Sequence, residues 1–246
     1  MEKFLPKILD FIFPRHCCIC NRYLGDSPYR YLCETCSRGI IFLGSNLCQK
    51  CGYDFGEISF HGPKLCPRCR ERGEREFRFR ALRSAVRLNP FAKGLLHRFK
   101  YENGEYLAQD LCKIAQQNSA FMELIGDSIM VPVPLHWRRR FFREYNQSDL
   151  LAQRLAKLPI AMEVLPLLKR IRHRRPQVEL RASERRTNVE NIFTVNPKFK
   201  IPFSRKLVVF DDVVTTGATI DECCKTLQKY GFSNIYAATF AQTIKD

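Results

Sequence analysis

Two adjacent carboxylates, Asp211 and Asp212, precede a small, hydroxyl-rich stretch, Thr215, Thr216, Gly217, Ala218 and Thr219, in the continuous segment VVFDDVVTTGAT from Val208 to Thr219. These residue types in this order suit a sugar phosphate. Three hydroxyls and a run of backbone N–H groups with little side-chain bulk can cradle a phosphate, and the start of a following helix adds free N–H groups and a favourable dipole. Carboxylates facing that phosphate would repel it. The aspartates are therefore expected to accept hydrogen bonds from neutral hydroxyls, such as a ribose diol, or to hold a magnesium ion. The apolar run from Leu207 to Phe210 predicts a strand buried on both faces of a parallel sheet, with the aspartates at its carboxyl end, where ligands of open α/β sheets sit. A P-loop is excluded, because the chain holds no Gly-Lys-Ser or Gly-Lys-Thr.

A second chemistry lies in the first seventy residues. Eight of the twelve cysteines form four C-x2-C pairs: Cys17 with Cys20, Cys33 with Cys36, Cys48 with Cys51, and Cys66 with Cys69. Such a pair turns two thiolates toward one ion, and two pairs complete a tetrahedral zinc site. The gaps of 12 and 14 residues inside successive pairs of knuckles match the spacing of zinc ribbons. Two structural zinc ions are expected, one on Cys17, Cys20, Cys33 and Cys36 and one on Cys48, Cys51, Cys66 and Cys69, with a cross-braced pairing left open by the spacing. Sites closed by four cysteines leave no open coordination position, so the metal stands in for a core that ~70 residues can scarcely build. Cys112, Cys223 and Cys224 fall in predicted helices, where a buried thiol acts as a small hydrophobe.

The elements that must position these groups follow from hydrophobic patterning. The 246 residues, 45% of them hydrophobic, are enough for one medium domain and a small one, and the formal charge of +16 points to anionic partners. Met1 to Pro14 is interrupted by Lys7 and Asp10 and reads as a short amphipathic helix rather than an export signal, with the cytoplasm as the expected compartment. No stretch approaches the ~20 apolar residues of a membrane span. The charged run Arg70 to Arg80 marks a boundary between a ribbon region, residues 1–80, and an α/β domain, residues 81–246. Strands are predicted near Ser84 to Leu88, Ser128 to Val133, Lys206 to Phe210 and Asn234 to Phe240. Helices are predicted near Phe91 to Phe99, Tyr106 to Ile125, Gln147 to Leu158 (capped by Asn146) and Ala218 to Tyr230. This alternation implies a largely parallel sheet with helices on both faces.

The segment from Val208 to Thr219 resembles the phosphoribosyl pyrophosphate signature of the type I phosphoribosyltransferases: hydrophobic residues, two acidic residues, two hydrophobic residues, then Thr-Thr-Gly-x-Thr. Nearly the whole chain from Phe11 onward is similar to the competence-associated ComF family, in which zinc knuckles precede a phosphoribosyltransferase domain. The resemblance is carried by IFPRHCCIC at Ile12 to Cys20, HRFKYENGEYLAQDL at His97 to Leu111, VPVPLHWRRRFFREYNQSDLLAQRLA at Val131 to Ala156, RRPQVELRASERRTNVENIF at Arg174 to Phe193, and the signature itself. One departure is Glu144, within Arg143 to Gln147, where family members usually have glycine.

The resemblance implies a type I phosphoribosyltransferase fold that binds magnesium and phosphoribosyl pyrophosphate. Asp211 and Asp212 would contact the ribose hydroxyls, Thr215 to Thr219 the 5′-phosphate, and the turn around Lys100 and Tyr101 the pyrophosphate. Arg138 to Arg186 holds 14 Lys and Arg against 5 Asp and Glu, and Arg185 and Arg186 are the candidates for neutralising departing pyrophosphate. The same basic stretch, with Arg172, Arg174 and Arg175, would alternatively follow single-stranded DNA, with Trp137, Phe141, Phe142 and Tyr145 as stacking platforms. Three readings therefore stand together: a phosphoribosyl transfer enzyme with an unidentified nitrogen acceptor; a non-catalytic module for single-stranded DNA or for protein partners in DNA uptake and recombination; and a regulator that senses phosphoribosyl pyrophosphate.

Overall fold

Five parallel strands form the centre of the molecule. The computed structural model describes residues 15–58, 62–72, 77–135, 145–171 and 192–244. Within these, the sheet is built from β1 (Leu82–Arg87), β2 (Ser128–Pro132), β3 (Met162–Val164), β6 (Leu207–Val214) and β7 (Ile235–Gln242). Its order is β1-β7-β6-β2-β3, and every neighbouring pair is parallel. A separate antiparallel pair joins β4 (Leu168–Arg170) to β5 (Phe193–Val195).

The two central strands, β6 and β7, are apolar on both faces, and each face has its own cover. Val208 and Phe210 of β6 join a core with α3 (Pro90–Tyr101), α4 (Ala108–Gln116), α5 (Ser119–Ile125) and α6 (Gln147–Leu155). Leu207 and Val209 point the other way, into a core with α7 (Ala218–Lys229) and the β4–β5 pair. Period-two alternation thus buries one strand against two helical layers. The helices predicted for both faces are present.

The cysteine region is wrapped around the β1 edge. Ile41 to Leu43 runs along that strand, accepting from the Arg87 N–H at Ile41 (2.8 Å), so the edge is paired rather than bare. Helices α1 (Glu34–Arg38) and α2 (Pro67–Arg72) lie within the two knuckle regions. Among the described residues no helix is long and apolar enough to cross a membrane.

Two expectations are corrected and three short strands are added. The helix expected over Tyr106 to Ile125 is a 3-10 turn, Gly104–Leu107, followed by α4 and α5. Asn118 makes the break: its Oδ1 accepts from the Phe121 N–H (2.9 Å) to start α5, while its Nδ2 donates to Leu43 and Ala85 carbonyls (2.9 Å each). The strand predicted to stop at Phe210 continues to Val214, because Asp211 and Val213 keep their register with Thr239 and Ala241 of β7. The three-residue strands β3, β4 and β5 were not anticipated, being too short to show a period. The helix expected over Met1 to Pro14 and the aromatic residues Trp137, Phe141 and Phe142 lie outside the described residues.

Candidate functional site

Each cysteine cluster is made by the same local hydrogen bonds. In the first knuckle of each ribbon the leading cysteine donates to a carbonyl five residues on, Cys17 to Arg22 and Cys48 to Tyr53 (2.8 Å each). The residue after the second cysteine donates back, Asn21 to Cys17 (2.9 Å) and Gly52 to Cys48 (3.0 Å). That residue must take the left-handed conformation, with φ of 58° at Asn21 and 69° at Gly52, which suits asparagine and glycine. The second knuckles, at Cys33 and Cys66, open helices α1 and α2. The four sulfurs of Cys17, Cys20, Cys33 and Cys36 lie within 4.8 Å of one another, as do those of Cys48, Cys51, Cys66 and Cys69. The pairing is therefore tandem, not cross-braced.

All-sulfur donor sets of this geometry fit zinc. Side-chain hydrogen bonds from Cys51 and Cys69 draw the Cys48 thiol well below the ordinary thiol range, while the bond to Cys48 pushes Cys51 above it. Seven of the eight ligands are buried and Cys20 is exposed.

A cavity of about 630 Å³ opens at the carboxyl ends of the parallel strands and gathers Lys100 and Tyr101 from one stretch of chain and Asp211, Asp212, Thr215 and Thr219 from another. The Lys100 Nζ stands 2.8 Å from Asp212 Oδ2. Asp211 Oδ1 accepts from Ser148 Oγ (2.8 Å) and from the Asp212 N–H (2.9 Å). Burial and the neighbouring Asp212 charge push the Asp211 carboxyl up to about 7, against the opposing pull of Ser148 and Lys100. Asp211 therefore holds its proton more readily than an ordinary aspartate, and any ligand that needs the ionised form must displace that proton.

Lys100 and Tyr101 do not sit in a turn, as expected, but end helix α3, whose last turn they form. The turn comes after them and depends on two special residues. Asn103 has a φ of 48°, and a side chain at Gly104 would lie 2.4 Å from the Arg98 carbonyl and 2.5 Å from the Phe99 Cα. Lys93 and His97 precede Lys100 at helical spacing and line the same cavity. They escaped the sequence reading, although their spacing was visible. Ser148 is a further cavity residue found only in three dimensions. It is placed by Asn146, which caps α6 by accepting from the Ser148 N–H (3.2 Å) and donates through Nδ2 to the Val133 carbonyl (3.2 Å). The Tyr145 hydroxyl donates to the Phe99 carbonyl, which ties the start of α6 to α3.

The loop from Thr215 to Gly217 joins β6 to α7, and Gly217, with a φ of 80°, occupies the helix N-cap without a side-chain cap. In the first turn the Ala218 N–H donates weakly to Thr216 Oγ1 (3.4 Å). Thr216, Gly217 and Ala218 are beside the cavity lining rather than in it. Arg170, at the end of β4, also lines the cavity and lies over the Phe193 ring, 5.5 Å from its centre. The strands β4 and β5 bracket the stretch that carries Arg172, Arg174, Arg175, Arg185 and Arg186, which lies outside the described residues.

Comparison with known proteins agrees with the cysteine clusters. Residues 8–70 match the double zinc ribbon domain family. The chain is 33% identical to "Competence protein F" of Haemophilus influenzae over 146 residues, 57% of this chain and 63% of that protein. It is 28% identical to "DNA utilization protein YhgH" of Salmonella typhi over 237 residues and 27% identical to the protein of that name in Escherichia coli (strain K12) over 239, each covering 94% of this chain and 98% of the relative.

Proposed function

We propose, from the premise that this is a ComF-like protein with an amino-terminal double zinc ribbon, that its cavity binds magnesium-complexed phosphoribosyl pyrophosphate and serves phosphoribosyl transfer to a nitrogen acceptor. The observation that carries the reading is the meeting of Lys100 with Asp212 at 2.8 Å in a cavity also lined by Thr215 and Thr219. Cation, carboxylates and phosphate loop come from α3, β6 and the β6–α7 turn, so separate groups of one ligand can be met at once. Asp211 and Asp212 take the ribose hydroxyls. The loop from Thr215 to Thr219 takes the 5′-phosphate with backbone N–H groups and hydroxyls. Lys100 leaves Asp212 for the pyrophosphate, helped by Arg185 and Arg186.

The carboxylates are hard oxygen donors of the kind magnesium takes, and the ion would neutralise charge on the pyrophosphate. The acceptor nitrogen attacks the anomeric carbon, the bond to pyrophosphate oxygen breaks with its electron pair, and the nitrogen sheds a proton. The protein contributes position and electrostatics: Lys100 faces the developing anion, and the aspartates hold the ring through its hydroxyls.

The names of the relatives extend the reading to handling of DNA during competence. The charge of +16 supports a second reading, in which the chain contacts single-stranded DNA without transfer chemistry. Calorimetric titration of the zinc-loaded protein with phosphoribosyl pyrophosphate and magnesium separates the two. Binding that is lost in the Asp211→Asn, Asp212→Asn double variant is expected; failure of the intact protein to bind would overturn the ligand assignment and leave the DNA reading.

A further inference from the structure

Arg68 lies inside the last zinc knuckle, Cys66-Pro67-Arg68-Cys69, yet its side chain reaches the loop 148 residues away, where Nη2 donates to the Thr216 carbonyl. Its guanidinium lies over the Phe77 ring, 5.6 Å from the centre, and Phe77 stacks on Phe79 at 4.9 Å. The Phe77 edge is also the atom nearest the place where a Gly217 Cβ would stand, at 3.5 Å. One residue further on, the Arg78 N–H donates to Asp221 Oδ1 in the first turn of α7, and Gln228 Nε2 returns a bond to the Arg78 carbonyl (2.9 Å). The second ribbon and the chain leaving it therefore touch the loop at Thr216 and Gly217 and the helix that follows.

A loop that receives an anion must aim N–H groups inward and keep its carbonyls turned away. In a trans peptide the N–H of Gly217 points opposite to the carbonyl of Thr216. Holding that carbonyl from outside with a cation fixes the direction of the N–H and polarises the peptide in the sense an anion favours. Gly217, left-handed at 80°, is the residue at which this peptide would otherwise turn freely. The charge on Arg68 adds a favourable potential beside the cradle without entering it.

We infer that Arg68 is a positioning residue for the phosphate loop, so that the metal held by Cys48, Cys51, Cys66 and Cys69 governs affinity for a 5′-phosphate. This rests on the phosphate reading of Thr215 to Thr219. Two measurements on the zinc-loaded full chain separate the two ideas. Amide hydrogen exchange of the ligand-free loop is compared in the natural protein, Arg68→Ala and Arg68→Lys. Calorimetry then follows ribose 5-phosphate and, separately, inorganic pyrophosphate.

The expected result is roughly tenfold faster loop exchange and about tenfold weaker ribose 5-phosphate binding in Arg68→Ala, with pyrophosphate affinity unchanged and partial recovery in Arg68→Lys. Unchanged loop exchange in Arg68→Ala overturns the brace whatever the ligands do. Faster exchange in a protein that binds no ribose 5-phosphate even in its natural form overturns the phosphate reading and keeps the brace. Equal weakening of both ligands overturns the assignment to the 5′-phosphate. If Arg68→Ala loses zinc, Arg68→Lys decides alone, since it keeps the charge but not the geometry of the donor.

Discussion

The two ribbons share their knuckle geometry and differ in what they hold. The first is tied to the helical face: the Asp110 carboxylate, fully buried on α4, accepts from the Arg30 N–H (2.9 Å) and the Tyr31 N–H (2.7 Å), and Lys113 donates to the Pro28 carbonyl (2.9 Å). The second is tied to β1 and to the loop that enters α7. One knuckle pattern, used twice, thus anchors the chain to a helix in one place and contacts the loop between β6 and α7 in the other. The difference lies in the surfaces the ribbons meet, since their ligands are alike.

Removing a ligand from each ribbon breaks the comparison most severely. Cys69→Ser is expected to lose one zinc, lower the melting temperature sharply and abolish ribose 5-phosphate binding. Cys20→Ser, at the one exposed ligand, is expected to weaken zinc at the other site and leave that binding measurable. Metal content by plasma emission and calorimetry on the same samples check this, and the scale is several kcal/mol, a fraction of the ~10–16 kcal/mol of a structural zinc site.

Next in size, Asp110→Ala strands two N–H groups and is expected to cost about 3 kcal/mol in urea unfolding while ligand affinity holds. A matching loss of affinity would show that the first ribbon also supports the site.

At the aspartates the expected effect depends on pH. The folded value of Asp211 is raised to about 7, above the ordinary ~4, so the folded protein binds the proton more tightly. The natural protein should lose stability relative to Asp211→Asn as pH rises from about 4 through 7. A ligand that needs the carboxylate should bind more tightly over the same interval, by at most about tenfold per pH unit, with a plateau above 7. Titrations at several pH values test this, and a flat profile would remove Asp211 from contact with the ligand.

Glycine substitutions give the smallest effects and sharpen the contrast locally. Gly217→Ala, with open contact to Phe77, is expected to cost about 1 kcal/mol from its left-handed backbone alone. Gly52→Ala should cost more, because its Cβ would meet the Leu82 carbonyl at 2.6 Å. Thermal melting of the two variants ranks them, and equal shifts would count against the close packing of the second ribbon on β1.

The cysteines were legible because a C-x2-C pair closes on itself: spacing alone brings the two sulfurs together, whatever the rest of the chain does. The parallel sheet was legible from apolar runs alternating with helical periods. That Asp211, Asp212, Thr215 and Thr219 share one cavity was legible because one segment carries them all. Lys100 was found by resemblance, but its place at a helix end was not, since the helix boundary depends on Asn103 and Gly104. Ser148, Lys93, His97 and Arg170 were missed because a polar residue on a helix or short strand carries no mark of facing a cavity.

Local rules decided whatever one segment can do unaided: the knuckles, the left-handed positions at Asn21 and Gly52, the β6 strand, the small residues of the loop. Only the fold decided that Lys100 stands against Asp212, that Ser148 donates to Asp211, that Asp110 receives the first ribbon, and that Arg68 reaches Thr216. Each of those contacts joins residues dozens to more than a hundred positions apart. Their partners are selected by the packing of two layers on one sheet, which no short-range pattern encodes.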